Sequence, residues 1–287
     1  MSTPRQNSQA GFSLIELILV CAILVMVLGL VVINISDAVQ RSQAEQTKID
    51  LTQSAREFVD EFQRDLHQAG YPNCRMIATP LAPTNCPPDG SNPLVAGNPA
   101  VAAGLVSVSN TQIVFDGDVD GDGVVDSVVY QLVDQNNNYP PATSCPCTIQ
   151  RSQVPKNGVP VFSQELQNVV NSGVAAGTAV YTAGSGLPIS GNTAWGQSNT
   201  AYYAAISTFK DYPVFTVYDE NGNIIALPLD LSTPLGQTTI PTIKSIRLSI
   251  NLLANATTGT DMKTHVRPVE TLVGNARLVN CGGQPCD

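Results

Sequence analysis

Five aspartates lie within the eleven residues 116–126, and their spacing is that of a metal-binding loop. Four of them occupy positions 1, 3, 5 and 9 of a D-x-D-x-D-G-x-x-D pattern: Asp118, Asp120, Asp122 and Asp126. Alternating carboxylates and the position-7 backbone carbonyl, here that of Val124, can converge on one Ca²⁺, while glycine at position 6, here Gly123, permits the sharp turn. The sequence therefore predicts a calcium site.

This aspartate loop resembles the first part of the calcium loop of EF-hands, except that Val129 stands where a bidentate Glu is usual. Asp126 would have to compensate, so we expect a dissociation constant of about 10⁻⁴ to 10⁻³ M, the range of extracellular modules. The alternative is an acidic turn without an ion. In that case the five carboxylates repel one another at neutral pH unless a cation or protons intervene.

A second group of residues with chemical consequences precedes an apolar run near the amino terminus. The heptapeptide reads Gly11-Phe12-Ser13-Leu14-Ile15-Glu16-Leu17. Residues 17–35 carry no charge, and these nineteen residues are close to the roughly 20 that span a bilayer core as a helix. Arg5 is the only charged side chain before the heptapeptide, so positive charge stays on the cytoplasmic side. We expect a single-pass inner-membrane protein with a periplasmic body.

The heptapeptide resembles the type IV prepilin cleavage motif. This resemblance implies cleavage between Gly11 and Phe12 by prepilin peptidase, N-methylation of Phe12, and retention of the apolar helix. Glu16 becomes the fifth residue of the mature chain, and a carboxylate inside a membrane marks a functional site by default. In the family this glutamate pairs with the terminal amine of a neighbouring subunit. The alternative is a plain signal anchor in which Glu16 lies near the membrane interface.

Beyond Ser36, apolar residues recur at spacings of three and four and predict an amphipathic helix. Its stripe consists of Leu51, Ala55, Phe58, Val59, Phe62 and Leu66. Gly70 and Pro72 supply a stop signal. One helix over residues 12–69 would be about 85 Å long, with its second half packed on a sheet. The alternative is two helices broken near residues 34–37.

Alternating apolar and polar residues between turn signals predict an antiparallel sheet with one buried face. The predicted strands are 112–115, 127–133, 214–218, 224–227, 243–253 and 269–279. We expect an α+β protein, in which the long N-terminal transmembrane and amphipathic helix packs on this sheet as in the pilin fold. Residues 1–11 form the leader, 12–69 the helix and 70–287 the head. Residues 171–205 form an insertion, either a weakly structured loop or a dedicated contact surface.

The order of features resembles the PilW-type minor pilins and the minor pseudopilin J of type II secretion. The matching pieces are residues 65–71 closing the helix, the aspartate loop, Arg151 after a short strand, residues 214–222, and residues 277–280.

Composition narrows the class of protein further. The net charge is −9, and no basic cluster occurs, which argues against a nucleic-acid partner. Apart from Cys21 in the apolar run, six cysteines lie in polar sequence: Cys74, Cys86, Cys145, Cys147, Cys281 and Cys286. An even number favours disulfides and an oxidising compartment, although six cysteines allow 15 pairings. Cys281 with Cys286 is the pairing we predict first, Cys74 with Cys86 is possible, and Cys145 and Cys147 are too close to pair with each other.

No nucleophile or metal-ligand motif recruits the two histidines, His67 and His265, so we expect a protein that is not an enzyme. The favoured function is a minor pilin that helps to initiate or cap a type IV pilus. The alternatives are a minor pseudopilin of type II secretion and an adhesin displayed by the pilus. The expected partners are other pilin subunits, prepilin peptidase, the inner-membrane assembly platform and the membrane. The protein would lie in the inner membrane before assembly and in the pilus or pseudopilus afterwards.

Overall fold

The computed structural model describes residues 13–72, 98–134, 136–141, 147–171, 212–254, 269–278, 280–281 and 284–285. Helix α1 spans Leu14–Gln68 without a break, so the structure favours one continuous helix over two. Its 55 residues correspond to about 82 Å. Gly70, at φ +81°, turns the chain out of the helix in the left-handed conformation that glycine adopts most readily.

In the part of the chain that the structure describes, twelve strands follow α1. They are β1 (Gly104–Val108), β2 (Gln112–Gly117), β3 (Asp126–Val133), β4 (Cys147–Pro155), β5 (Phe162–Val169), β6 (Phe215–Tyr218), β7 (Ile224–Ile225), β8 (Leu229–Asp230), β9 (Ser245–Leu253), β10 (Val269–Arg277), β11 (Asn280–Cys281) and β12 (Gln284–Pro285). A short helix α2 (Pro234–Thr239) lies between β8 and β9. The first ten strands form one antiparallel sheet, so the predicted α+β class is confirmed.

The sheet curls until its two ends approach each other. The strand order is β7-β6-β9-β5-β4-β3-β2-β1-β8, with β10 paired to β9 as well. Strands β7 and β8 stand at opposite ends of this order, yet only three residues separate them along the chain. Such a connection spans at most about 14 Å. The backbone N–H of Val214 also donates to the carbonyl of Asn110 in the β1–β2 turn (2.9 Å), which joins the two ends directly.

One edge of β9 is shared by two strands, and a side-chain amide fills the junction. Strand β10 pairs along the whole of β9, whereas β6 pairs with its first half and Val169 of β5 pairs with Leu252. Between them, Asn171 accepts from the backbone N–H of Asn251 (2.6 Å) and donates to the carbonyl of Ser249 (3.1 Å). The buried backbone groups of β9 are thus satisfied where the pairing strand changes.

The last turns of α1 pack inside the curled sheet. Phe62 and Leu66 are fully buried there, and the ring of Phe62 meets Tyr130 of β3 edge to face at 5.3 Å between centroids. The helix also covers the edge strand β10, because Gln63 donates its side-chain N–H to the carbonyl of Asn275 (3.0 Å). The core therefore depends on the second half of α1.

All six predicted strands are present, although the strand expected at 224–227 is only two residues long. One expectation was wrong: Arg151 does not follow a short strand but lies in the middle of the nine-residue strand β4. No bounds were predicted from the sequence for β1, β4 and β5. In β4 the apolar pattern is interrupted by polar residues at buried positions, Gln150 and Ser152.

Candidate functional site

The first turn of α1 presents Glu16 without an internal partner. Ser13 is the N-cap residue and Glu16 is the acid of the first turn, the S-x-x-E spacing of a capping box. The Ser13 side chain nevertheless makes no capping hydrogen bond. The Glu16 side chain is exposed and contacts no hydrogen-bond or ion-pair partner in the described part of the chain. Its carboxylate is thus available to a group from outside this protein.

Side chains 14–39 are all exposed along the first half of α1. Among the residues that the structure describes, α1 is the one helix long and apolar enough to cross a membrane, with a mean hydropathy of 3.1 in its most apolar window and none of that window buried. A helix from the core of a soluble protein would instead be mostly buried. The apolar surface of this segment therefore requires lipid or other helices as its environment.

The aspartate loop brings three carboxylates together. One oxygen each from Asp118, Asp120 and Asp122 lies within 4.8 Å of the others, a separation at which one cation could contact all three. Asp118 is buried and accepts from the backbone N–H of Gly121 (2.8 Å) and of Gly123 (3.1 Å). Both glycines have positive φ, +77° and +86°, which an L side chain rarely adopts. The chain is thus folded back so that alternate carboxylates face one point.

Asp126, the fourth predicted ligand, lies outside this group of three. Its carboxylate accepts from the side-chain N–H of Gln153 in β4 (2.7 Å), and the same amide reaches Asp120 at 3.4 Å. Burial raises the pKa of Asp126, the hydrogen bond from Gln153 opposes the rise, and the neighbouring loop carboxylates add to it. Of the predicted ligands, the structure therefore groups three carboxylates and holds the fourth at the border of the loop.

The aspartate loop begins where β2 meets the end of α1. The N–H of Gly70 donates to the carbonyl of Asp116, and the N–H of Asp118 donates to the carbonyl of Tyr71, both at 2.8 Å. A Cβ on Gly117 would collide with the carbonyl oxygen of Gln68, so this close approach of helix and strand requires glycine. The geometry of the loop is consequently tied to the position of the helix end.

A buried ion pair joins α1 to the sheet close to the loop. Asp65, 2% exposed, accepts from Arg151 of β4 at 2.7 and 2.8 Å and from the hydroxyl of Tyr130 at 2.7 Å. Burial raises the pKa of Tyr130 and the charge of Asp65 adds to the rise, so the phenol stays protonated as a donor. Burial opposes protonation of Arg151, but Tyr130 and Asp65 raise its pKa overall.

Arg151 also links this ion pair to the aspartate loop, because it donates to the side-chain oxygen of Gln153 (2.8 Å), whose amide donates to Asp126. In the sequence, Asp65 and Arg151 belong to separate segments, and no local pattern pairs them. A signal for their pairing was present: Asp65 follows Phe62 by three residues, which puts a carboxylate on the buried stripe of the helix. A buried carboxylate requires a cation or donors nearby.

A second buried ion pair adjoins the loop on its other side. The ammonium group of Lys156 lies 3.0 Å from a carboxylate oxygen of Asp116 and donates to the carbonyl of Val101 (2.7 Å). Burial raises the pKa of Asp116 and lowers that of Lys156, and their mutual attraction opposes both shifts. This aspartate is therefore occupied by a lysine and is not one of the grouped carboxylates.

The remaining candidate residues are scattered. Cys147 is fully buried at the start of β4 and is disulfide-bonded, and its partner is not among the side chains that the structure describes. Cys21 is free and exposed on α1. His67 is exposed near the helix end. The following lie outside the described residues: Gly11, Phe12, Cys74, Cys86, Cys145, Cys286, His265, residues 172–205 of the predicted insertion, and the side chain of Cys281.

Comparisons with known proteins bear on the amino terminus. The model of the family described as the prokaryotic N-terminal methylation motif matches residues 6–32. No curated protein and no solved structure matches the chain. The matched stretch contains Gly11, Phe12 and Glu16 and most of the exposed apolar half of α1. The protein therefore carries the type IV prepilin-like signature at its amino terminus.

Proposed function

We propose that this protein is a minor structural subunit of a type IV pilus that helps to initiate or cap the filament. The observation that supports the proposal is that the two halves of α1 have different surroundings. Its first half exposes a continuous apolar surface headed by an unpartnered Glu16, and its second half is embedded in a β-rich head. Such a chain buries its apolar surface in a membrane first and among the helices of other subunits afterwards.

The minor role is supported by the features that follow the helix. Residues 65–71, the aspartate loop and Arg151 occur in the order seen in PilW-type subunits, and Asp65 contacts Arg151 directly at the helix–sheet interface. The proposed role is structural and not catalytic. Prepilin peptidase would cleave between Gly11 and Phe12, and Phe12 would then be methylated.

Mass spectrometry of the mature amino terminus, combined with fractionation of sheared filaments, tests this proposal. We expect a chain that begins at methylated Phe12 and is present in sheared pili at a small fraction of the principal subunit. Gly11→Ala should slow cleavage and Gly11→Leu should block it, because the peptidase must approach the backbone there. Ala10→Ser is the matched control and should be processed normally. A wild-type chain that starts at Met1, or beyond Ile35, contradicts the proposal.

The same fractions discriminate between the alternatives. A type II secretion pseudopilin would be absent from sheared surface filaments, and its loss would stop protein secretion. An adhesin would be present in pili, and removal of the predicted insertion would leave normal pili that no longer attach. The deletion should begin after residue 172, because Asn171 fills the edge of β9 and its loss would disturb the sheet.

We also propose that the aspartate loop binds Ca²⁺. The support is the D-x-D-x-D-G spacing together with the convergence of the Asp118, Asp120 and Asp122 carboxylates within 4.8 Å. An ion held there would neutralise repulsion among these carboxylates, while the Val124 carbonyl and Asp126 would complete the oxygen shell. The protein would supply only oxygen ligands, and such ligands suit Ca²⁺ better than they suit most transition metals.

Isothermal titration of the full chain in detergent micelles tests calcium binding directly. We expect one site with a dissociation constant of about 10⁻⁴ to 10⁻³ M, as in other extracellular calcium modules. Asp118→Ala with Asp120→Ala should abolish the binding heat. Asp50→Ala with Asp60→Ala removes two exposed carboxylates from α1 and is the matched control. Equal binding by both double variants would show that the ion lies elsewhere.

A further inference from the structure

The face of the sheet opposite α1 carries an open groove of about 680 Å³. Its floor consists of the outward-facing residues of β9, Arg247, Ser249 and Asn251, and of Thr271 on β10. Its walls are apolar and aromatic, formed by Val273 on one side and by Tyr212 and the β6–β7 hairpin on the other. A volume of this size lies within the range of ligand sites in proteins, about 300 to 1,000 Å³.

A buried hydrogen-bond donor lies at one end of the floor. Asn251 is 2% exposed, and one end of its side-chain amide is paired with the hydroxyl of Thr271 at 2.6 Å. The other end of the amide has no hydrogen-bond partner in the described part of the chain. Because buried polar groups are almost always hydrogen-bonded, this amide N–H is available to an acceptor in the groove.

An unpaired cation lies towards the other end. Arg247 is exposed in the groove, and its guanidinium has no ion-pair or hydrogen-bond partner among the residues that the structure describes. None of the described residues that line the groove is an aspartate or a glutamate. The side-chain acceptors in the lining, such as those of Asn110, Ser249 and Thr271, are neutral and do not repel an anion. Together with the unpaired Arg247, this lining favours a ligand that carries a negative charge.

The spacing of the two groups indicates an extended ligand. Arg247 and Asn251 are four residues apart on one strand, so their Cα atoms are about 13 Å apart, the length of about four residues of extended peptide. A single guanidinium matches a single carboxylate. A polyanion fits less well, because the chain has a net charge of −9 and repels it.

We propose that this groove binds a short extended peptide segment of a partner protein, with its carboxylate at Arg247, a backbone carbonyl at Asn251 and apolar side chains on the walls. The inference is independent of the calcium site and of the position of the protein in a filament. Strand addition at the sheet edge is not involved, since recognition uses side chains on the face of the sheet.

Peptide capture by the full chain in detergent micelles tests the proposal. The probe is a pool of N-acetylated tetrapeptides randomised over Leu, Val, Phe, Ser and Thr, made once with a free terminal carboxylate and once as the amide. Captured peptides are identified by mass spectrometry, with empty micelles as the blank. We expect acids to be enriched at least tenfold over amides. Methyl resonances of Ile224, Ile225 and Val273 should shift on titration with the best acid.

Two variants test whether Arg247 binds the carboxylate of the peptide. Arg247→Gln, at an exposed position that leaves the fold intact, should reduce capture of acids at least tenfold, to the level of the amides. Arg277→Gln removes the same charge from β10 outside the groove and should leave capture unchanged. Four outcomes would each overturn the proposal. Two concern charge: acids and amides are captured equally, or a preference for acids survives Arg247→Gln. The other two are that no saturable binding occurs up to 10 mM, or that neutral oligosaccharides displace the acids.

Discussion

The two ends of α1 each place a carboxylate among apolar side chains, but only one end supplies that carboxylate with a partner. Asp65, near the carboxyl end, is almost fully buried and contacts both Arg151 and Tyr130. Glu16, in the first turn, has exposed apolar neighbours and no internal contact. A charge in apolar surroundings is unfavourable unless it is paired. On the proposed function, a partner for Glu16 would come from outside the described chain, and this is the end that matches the methylation motif.

The comparison also separates the energetics of the two halves of the helix. The second half contributes core residues such as Phe58 and Phe62 to the head, so changes there alter the stability of the fold. The first half contacts no other element of the described chain, so we expect changes there to alter association and not the stability of the head. The predictions below test this separation, from the largest expected effect on the free energy of unfolding to the smallest.

The largest effect should follow from breaking the Asp65–Arg151 pair. Asp65→Ala removes the acceptor of the Tyr130 hydroxyl and the nearest carboxylate of the partly buried Arg151. Arg151 then keeps Gln153 at 2.8 Å and Glu61 at 3.7 Å. Removal of one partner of a buried pair costs about 3 to 5 kcal/mol. Urea denaturation in mild detergent, followed by near-ultraviolet circular dichroism, would measure the change. Asp60→Ala removes an exposed carboxylate from the same helix and should change the free energy by less than about 0.5 kcal/mol. Equal effects of the two variants would show that the pair does not stabilise the head.

The close approach between the helix end and β2 gives the next effect. Gly117→Ala would push a Cβ into the Gln68 carbonyl, and the backbone cannot move aside without breaking the 2.8 Å hydrogen bonds around it. We expect a destabilisation of about 3 kcal/mol, the upper part of the range for overpacking. Gly274→Ala is a matched comparison, because there the added Cβ meets a side-chain atom of Val59 at 2.5 Å. A side chain can adjust, so the second variant should be the milder one.

Much of this arrangement follows from local sequence patterns, and the remainder depends on contacts between distant residues. The apolar stripe of α1 and the alternation in β9 and β10 predict elements that the structure contains. The strand expected just before Arg151 is longer than predicted, because the middle residues of β4, Gln150, Arg151 and Ser152, are polar. Their polar groups are paired with residues of other segments, Arg151 with Asp65 of α1 and Gln150 with Gln131 of β3. A pattern of single residues cannot reveal such pairings.

The same limit applies to the candidate sites. The aspartate loop is a local motif, and its glycines and carboxylates adopt the predicted turn. The groove floor could not be predicted, because it depends on the register that sets Asn251 opposite Thr271 and on the junction made by Asn171. None of these three residues belongs to a recognisable motif.

Calcium binding should stabilise the head, in which the carboxyl end of α1 is buried. The gain in the free energy of unfolding should lie between the effects of the glycine substitutions and that of Glu16→Ala. If the loop binds with a dissociation constant of 10⁻⁴ to 10⁻³ M, 10 mM calcium stabilises the native state by about 1.4 to 2.7 kcal/mol through mass action. Thermal unfolding of the full chain in calcium and in chelator would measure this gain. Asp118→Ala with Asp120→Ala should remove it, whereas Asp60→Ala should keep it. A melting temperature that is the same in calcium and chelator contradicts calcium binding.

The smallest effect on folding, and the most informative one, should come from Glu16→Ala. The Glu16 side chain contacts nothing within the described chain, so the free energy of unfolding of the head should change by less than about 0.5 kcal/mol. Membrane insertion should be unimpaired, because removal of a charge from an apolar span lowers the cost of insertion. Incorporation into filaments should nevertheless fall sharply, since the carboxylate no longer pairs with a group of the next subunit.

Quantification of the variant in membranes and in sheared filaments separates these steps, with Gln43→Ala on the exposed middle of α1 as the control. A Glu16→Ala chain that enters filaments as efficiently as the wild type would mean that this carboxylate needs no partner, and that the two ends of α1 differ for another reason.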